Sequence, residues 1–368
     1  MVLNKILFIA QVNRKSIQLG GLYRKILAQA SSLCVFSKEV YILCPNFNEF
    51  SLIKVESNSN EVINSFSSNN QHFNACEFWD FATNFVNNSD FDFVYCRFSS
   101  NYFFVEFLQL IESHIKRIIE FPTYPYYEEL NLAERESNHY LVSKVIKYSD
   151  FVFSPSPVDR IFNMDVHHFT NDIFEKPSEL QIKNYNKKKI RFLVIANIQI
   201  WHGFDRILKG LHSYLAKNST NITIDLYGHG DELDNVMYLT NKLSLDEKVR
   251  FHKFTNFDFF KRNVNKWDFG ISSLGLHRIK INDASPLKSR DYLSIGLPFV
   301  TTFNDKNFDN YDFAFQVSSD ESPLDFEEIL KYFRSISPTK MANDSIKYFK
   351  ENKPWQKFID NFRPIIEK

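Results

Sequence analysis

Short apolar runs alternate with longer amphipathic stretches along most of the chain. Lys5–Ala10 (KILFIA) has strand character; a polar loop, Gly20-Gly21 and then LYRKILAQASSL follow, the last with apolar residues at helical spacing. Strand, glycine turn and helix in that order open a βαβ unit. Glu39–Cys44 predicts a second strand. Residues 46–72 are rich in Asn and Ser, with a strand expected only around Ile53–Val55. Phe91–Phe98 predicts a strand, SNYFFVEFLQLIESH a helix, and RIIEFPTYPYYEEL a strand running into a loop. A helix over about Ser137–Tyr148 precedes the strand FVFSPSP and the run DVHHFTNDIF. Glu175–Lys189, charged and carrying a proline, reads as a linker.

The pattern then restarts. RFLVIAN, ITIDLYGHGD, VRFHKF and DFGISS predict strands, with WHGFDRILKGLHSYL as a turn and helix after the first. Asp283–Val300 (DASPLKSRDYLSIGLPFV) completes five alternations with a loop, a helix and a buried strand. Within it Ser285 is the expected N-cap and Pro286 the first helical residue; the helix runs to Ile295 and Gly296 stops it. Ser322–Asp325 opens another helix, and Trp355–Ile366 has the apolar spacing of a terminal one. The class is α/β, with two Rossmann-like, doubly wound domains and ligands at the carboxyl ends of the strands. The expected domains are 1–172 and 189–350, joined by a linker at 173–188, with a terminal helix in 351–368.

Composition narrows the function. At 368 residues two domains are the default. Lys plus Arg (44) equals Asp plus Glu (44), which argues against a nucleic-acid partner held by a broad basic surface. Cys34, Cys44, Cys76 and Cys96 show no CxxC, so they read as reduced thiols of a cytoplasmic protein. The apolar run at the start is too short for a signal peptide or a membrane span, which leaves a soluble or at most peripheral protein. Asp90-Phe91-Asp92 is formally D-x-D but opens a strand, and adjacent His167 and His168 would point to opposite faces of one; neither reads as a metal site, and none is expected.

The chemistry concentrates in Asp283–Val300. Free N–H groups at the helix start around Ser285, Pro286 and Leu287, with Lys288 one turn in, suit a phosphate or diphosphate. Two carboxylates, Asp283 and Asp291, bracket the loop. The string resembles the donor-site signature of retaining GT-B glycosyltransferases (glycosyltransferase family four-like), more narrowly the bacterial enzymes that build capsule, exopolysaccharide or lipopolysaccharide. Both acids are usually Glu in that family and are one methylene shorter here. Glu120–Leu130 (EFPTYPYYEEL) is similar to a segment of the same subgroup, as is Trp201–Arg206 (WHGFDR). Asn171-Asp172-Ile173 is a degenerate form of the family's N-G-(I/V)-D at the end of its first domain.

The resemblance implies two facing Rossmann-like domains with a cleft between them, and a terminal helix that crosses back to the first domain. It further implies transfer of a sugar, with retention, from a UDP- or GDP-sugar to a glycan or lipid-linked glycan, without metal or other cofactor. Lys288 and the helix start would hold the diphosphate, with Gly20 and Gly21 opposite and His202 where many relatives have a Lys. Asp291 would accept from the ribose and Asp283 would contact the donor sugar. Glu120 is the third catalytic candidate, since a carboxylate at a strand's end followed by prolines and tyrosines looks like a sugar-binding lip. Tyr124 and Tyr126 are the acceptor-side candidates. Thr255, beside Phe254, is assigned to the base by its place in the fold. A nucleotide-sugar 2-epimerase and a non-catalytic nucleotide-sugar-binding subunit are the alternatives. The capsule-type resemblance also suggests peripheral docking on anionic membrane, through Arg14, Lys15, Arg24 and Lys25.

Overall fold

A computed structural model describes residues 5–16, 20–37, 39–57, 59–68, 74–125, 130–172, 185 and 187–367. The chain divides into two compact units, Met1–Asn171 with Trp355–Lys368, and Asp172–Pro354.

The first unit runs β1 (Lys5–Ile9), α1 (Gly20–Ser32), β2 (Glu39–Asn46), β3 (Glu49–Val55), β4 (Asn60–Ser67), α2 (Ala75–Asn87), β5 (Phe93–Arg97), α3 (Tyr102–Leu110), β6 (Lys116–Glu120), α4 (Leu132–Lys147), β7 (Phe151–Ser154), β8 (Arg160–Ile161) and β9 (Met164–His168). Its nine strands lie in the order β4-β3-β2-β1-β5-β6-β7-β9-β8. The span from β2 to β9 is parallel, with Ile6 level with Val40 on one side and Phe93 on the other. Such strands are covered on both faces, which is why they read as continuous apolar runs. Phe78, Trp79, Phe104, Phe107 and Val145 from α2, α3 and α4 bury one face with Leu7, Val94 and Ile119.

Within the Asn/Ser-rich stretch, β3 and β4 form an antiparallel hairpin on the edge of that sheet. Nearly all of β4 is exposed, so neither of its faces needs an apolar residue and no alternation marks it. Helix α2 follows, capped by the Asn74 side chain, which accepts from the Glu77 N–H at 3.3 Å.

The second unit holds β10 (Lys189–Asn197), α5 (Phe204–Leu215), β11 (Asn221–His229), α6 (Leu233–Lys242), β12 (Val249–His252), α7 (Phe257–Asn263), β13 (Phe269–Ile271), α8 (Leu287–Ser294), β14 (Phe299–Thr301), β15 (Ala314–Gln316), α9 (Phe326–Ser335) and α10 (Pro338–Glu351). All six strands are parallel in the order β12-β11-β10-β13-β14-β15. Strand order reverses between β10 and β13, and a crevice opens outside the carboxyl ends at such a switch point.

Helix α8 is fixed over that point by one residue. The Tyr292 hydroxyl donates to the Ile271 carbonyl at 2.9 Å and accepts from the Ile195 N–H at 3.1 Å, so it bridges β13 and β10. Its ring occupies the space beside Gly270, where a Cβ would stand 2.7 Å from the ring carbons. Gly270→Ala is therefore expected to lower stability by about 1–3 kcal/mol through overpacking, read as a fall in denaturation midpoint; an unchanged midpoint would show that α8 can yield there. The far end of α8 closes in a Schellman motif, with Gly296 N–H to Leu293 O and Leu297 N–H to Tyr292 O, both 2.9 Å.

The chain then returns to the first unit as α11 (Gln356–Ile366), whose Phe358 and Phe362 pack on Tyr95 and Phe153. Asn361 Nδ2 donates to the His168 carbonyl at 2.7 Å. No helix among the described residues is long and apolar enough to cross a membrane.

Candidate functional site

Beyond Asn197 the chain leaves β10 into a single 3-10 turn, Ile200–His202, and reaches α5 through Gly203. Gly203 has φ +67°, and a Cβ there would stand 3.0 Å from the backbone of Leu274, so glycine is required twice over. The Leu274 N–H donates to the His202 carbonyl and the Gly275 N–H to the Trp201 carbonyl, both at 3.1 Å. The loops that follow β10 and β13 are thereby joined at the switch point. Arg206, wholly buried, holds the same place from beneath, with its guanidinium bonded to the carbonyls of Leu274, Ser318 (2.9 Å) and Ser322 (2.7 Å).

His202 is buried in this turn. The Gln199 N–H donates to its Nδ1 at 3.2 Å, which puts the proton of the neutral ring on Nε2. Burial, reinforced by the charge of Lys288, holds its pKa well below the usual histidine value. His202 is thus a neutral N–H donor at pH 7, suited to a phosphate oxygen without adding charge.

Helix α8 starts one residue later than its sequence suggests: Pro286 is the cap residue, with no side-chain cap bond, and Ser285 lies buried just before it. Ser289 N–H donates back to the Pro286 carbonyl at 3.2 Å, so the amides of Leu287 and Lys288 precede the first intrahelical bond. Lys288 differs more from expectation. Its stem is partly exposed, but its ammonium nitrogen is buried and has no hydrogen-bond partner among the described residues. Desolvation brings its pKa down from 10.5 to about 7. An amphipathic pattern places a lysine on a helix but does not tell what folds over its tip. Asp291 is buried on α8, while Asp283 is exposed, its backbone bridged to Asn304.

Thr255 is half-buried in the loop after β12, next to Phe254. The Phe254 ring lies 5.9 Å from that of His229, at the carboxyl end of β11. His229 Nε2 is buried without a hydrogen-bond partner among the described residues. Sequence reasoning passed over His229; its only signal is a histidine between two glycines at a strand's end. Lys288 and His202 are donors at the carboxyl edge of one parallel sheet, with His229 at the same edge, an arrangement that fits an anion.

In the first unit the candidates separate. Gly20 and Gly21 are the first residues of α1, and a Cβ on either would meet nothing closer than 3.8 Å. Packing against the described residues does not demand glycine there. Glu120, expected on a sugar-binding lip, is instead 1% exposed at the end of β6. Lys25 Nζ (2.6 Å), Gln29 Nε2 (2.8 Å) and the Tyr95 hydroxyl (2.6 Å) all donate to its carboxylate. Burial opposes its charge, but Lys25, with Arg97 beyond it, holds the carboxyl below its usual range. A carboxylate so enclosed anchors α1 to the sheet.

The same pair removes Lys25 from the expected membrane-docking face, since it lies inside the unit; Arg14 and Arg24 are half-buried and Lys15 is exposed. Tyr124 is half-buried against Phe121, and its N–H donates to Ser156 Oγ at 2.8 Å. Tyr126 lies outside the described residues. The D-x-D acids are bound to the start of β1: Asp90 pairs with the Lys5 ammonium, and Asp92 accepts the Lys5 N–H at 2.7 Å. His167 stacks on Phe153, and His168 faces Lys357.

No protein-family model matches the sequence, and no curated protein sequence matches it. Solved structures do match its fold. Sucrose-phosphate synthase from Thermosynechococcus elongatus aligns with a TM-score of 0.69 at 10% identity, covering 99% of this chain and 100% of that one. An α-glucosyltransferase in complex with UDP and a 13-mer DNA aligns with a TM-score of 0.62 at 14% identity, covering 99% and 100%. The lipopolysaccharide outer core galactosyltransferase WaaB, in its apo form, aligns with a TM-score of 0.53 at 11% identity, covering 98% and 99%. These neighbours are glycosyltransferases, and the chain has their GT-B fold of two Rossmann-like parallel-sheet units. The DNA in the α-glucosyltransferase complex does not fit well with the expectation of no nucleic-acid partner.

Proposed function

We propose that the protein is a retaining, metal-independent glycosyltransferase. It moves a hexose from a UDP- or GDP-sugar to a glycan or lipid-linked glycan in bacterial surface polysaccharide synthesis. The observation that carries this reading is the buried, unpartnered ammonium of Lys288 beside the neutral N–H of His202, at the start of α8 and at the switch point of the sheet. A desolvated cation without a counter-ion is costly to keep, and a diphosphate supplies the missing charge.

Breaking the bond between the anomeric carbon and the diphosphate leaves negative charge on the phosphate oxygens. Lys288, the amides of Leu287 and Lys288, and His202 Nε2–H stabilise that charge as it grows, and the preceding Ser285-Pro286 segment shapes their loop. Asp291 accepts from the ribose hydroxyls and Asp283 reaches the donor sugar. Gly20 and Gly21 are assigned to the donor, and Thr255 to its base. Tyr124 and Tyr126 are assigned to the acceptor. UDP occurs in the α-glucosyltransferase neighbour and a surface-glycan role in WaaB, which supports this choice of donor and pathway.

The test is release of nucleotide from UDP-glucose and GDP-mannose, with and without oligosaccharide acceptors, in excess EDTA. Acceptor-dependent release that persists in EDTA, with a product of unchanged anomeric configuration, is the expected result. Loss of activity in EDTA, restored by Mg²⁺ or Mn²⁺, would refute metal independence. An epimerised donor, or nucleotide bound but never released, would replace transferase by epimerase or by a binding subunit.

A further inference from the structure

Beside the turn that carries His202, a cavity of about 350 Å³ opens between the start of α5 and α6. Phe204, Val236 and Leu239 give it an apolar floor, and Gln199, Glu232 and Asn235 stand among its polar lining. None of Lys288, His202 and Asp291 lines it. Its volume lies at the low end for ligand pockets and admits roughly one or two sugar rings.

Hydrogen-bond accounting restricts what fits. Gln199 Nε2 donates to Asp231 and Asn235 Nδ2 to Glu232 Oε2, both at 3.0 Å. These bonds leave Asn235 Oδ1 and Glu232 Oε1 as acceptors without a bond among the described residues. Arg278 also lines the cavity, but its charge is matched by Glu321 and Asp205, and four of its five N–H groups are used on these two and on the Ile200 carbonyl. Asp205 is engaged by Arg278 and Lys209. The site therefore presents acceptors around an apolar floor and offers no unspent cation to an anion. A ring with hydroxyl donors on its edge and C–H groups on its face satisfies both parts.

We propose that this cavity is a second binding site for an uncharged sugar, distinct from the donor site, able to hold one unit of a glycan chain. It stands on its lining alone, so its failure leaves the donor-site reading untouched. Saturation-transfer NMR with glucose, galactose and N-acetylglucosamine, one at a time, tests it on the full-length protein. At least one sugar is expected to receive transfer and to bind about tenfold more weakly to Asn235→Leu, an exposed position, and to Glu232→Leu, since each loses one acceptor. Binding should survive Lys288→Ala. No transfer to any sugar, transfer unchanged in both cavity variants, or transfer lost in Lys288→Ala would overturn it. So would binding of n-butylamine, abolished in Glu232→Gln, with no sugar bound: that outcome makes the cavity a cation site.

Discussion

Lys288→Ala is expected to lower kcat/KM for the nucleotide-sugar by about 10²–10³, or roughly 2.7–4 kcal/mol of transition-state stabilisation, while the fold becomes no less stable. The two halves have one cause. An ammonium buried without a partner contributes nothing to the unliganded protein that water would not supply better, and it meets its partner only when an anion arrives. Lys288 titrates near 7 in the fold and near 10.5 in an unfolded chain. Between those values the unfolded chain binds more protons, so wild-type stability rises with pH across that window. Below pH 7 both states carry the proton and the full cost of burying it remains. The alanine variant should lose this slope and melt at the same temperature or higher at neutral pH. A lysine with a structural role gives the opposite signature, a lower melting temperature with turnover intact, and that result would remove Lys288 from the site.

The extent to which this was legible in the sequence differs by feature. The central strands of the two sheets were readable because parallel strands buried on both faces appear as apolar runs; β10 and β11 are such cases, whereas β9 and β15, only partly buried, were not predicted. Strand β4 was not, because an exposed edge strand has no buried face to impose a pattern. Proline, lysine and glycine in Asp283–Val300 fixed the element and nearly its boundary, since caps and turns are local chemistry. The states of Lys288 and Glu120 depend on contacts far along the chain. Glu120 is enclosed by Lys25, Gln29 and Tyr95, and the first lies 95 positions away. Lys25 and Gln29 stand one helical turn apart, a spacing equally usual on a solvated face, so nothing local told them from surface residues. Residue types and order show where a charge can be used; only the packing shows whether it is already used.

The second large effect is on pH. Affinity for an intact nucleotide-sugar should be constant below about pH 6.5 and fall by up to tenfold per unit above pH 7. Lys288 without ligand titrates at about 7, so at higher pH most of it is neutral. A bound diphosphate lies against the nitrogen and favours its charged form, raising that pKa. Binding above pH 7 must therefore take up a proton, about 0.9 per site at pH 8 for a pKa of 7, and the affinity falls accordingly. His202 does not contribute: its pKa is held well below 6.5, so it is neutral throughout. The intact donor is the right probe, because both of its phosphates are already ionised over this range. Titration calorimetry at pH 8 in HEPES and in Tris, which differ in ionisation enthalpy, measures the proton directly. Lys288→Arg, which keeps its charge at every pH used, should remove both the uptake and the slope. Equal heats in the two buffers, with an affinity flat from pH 6 to 8.5, would mean that Lys288 does not meet the diphosphate.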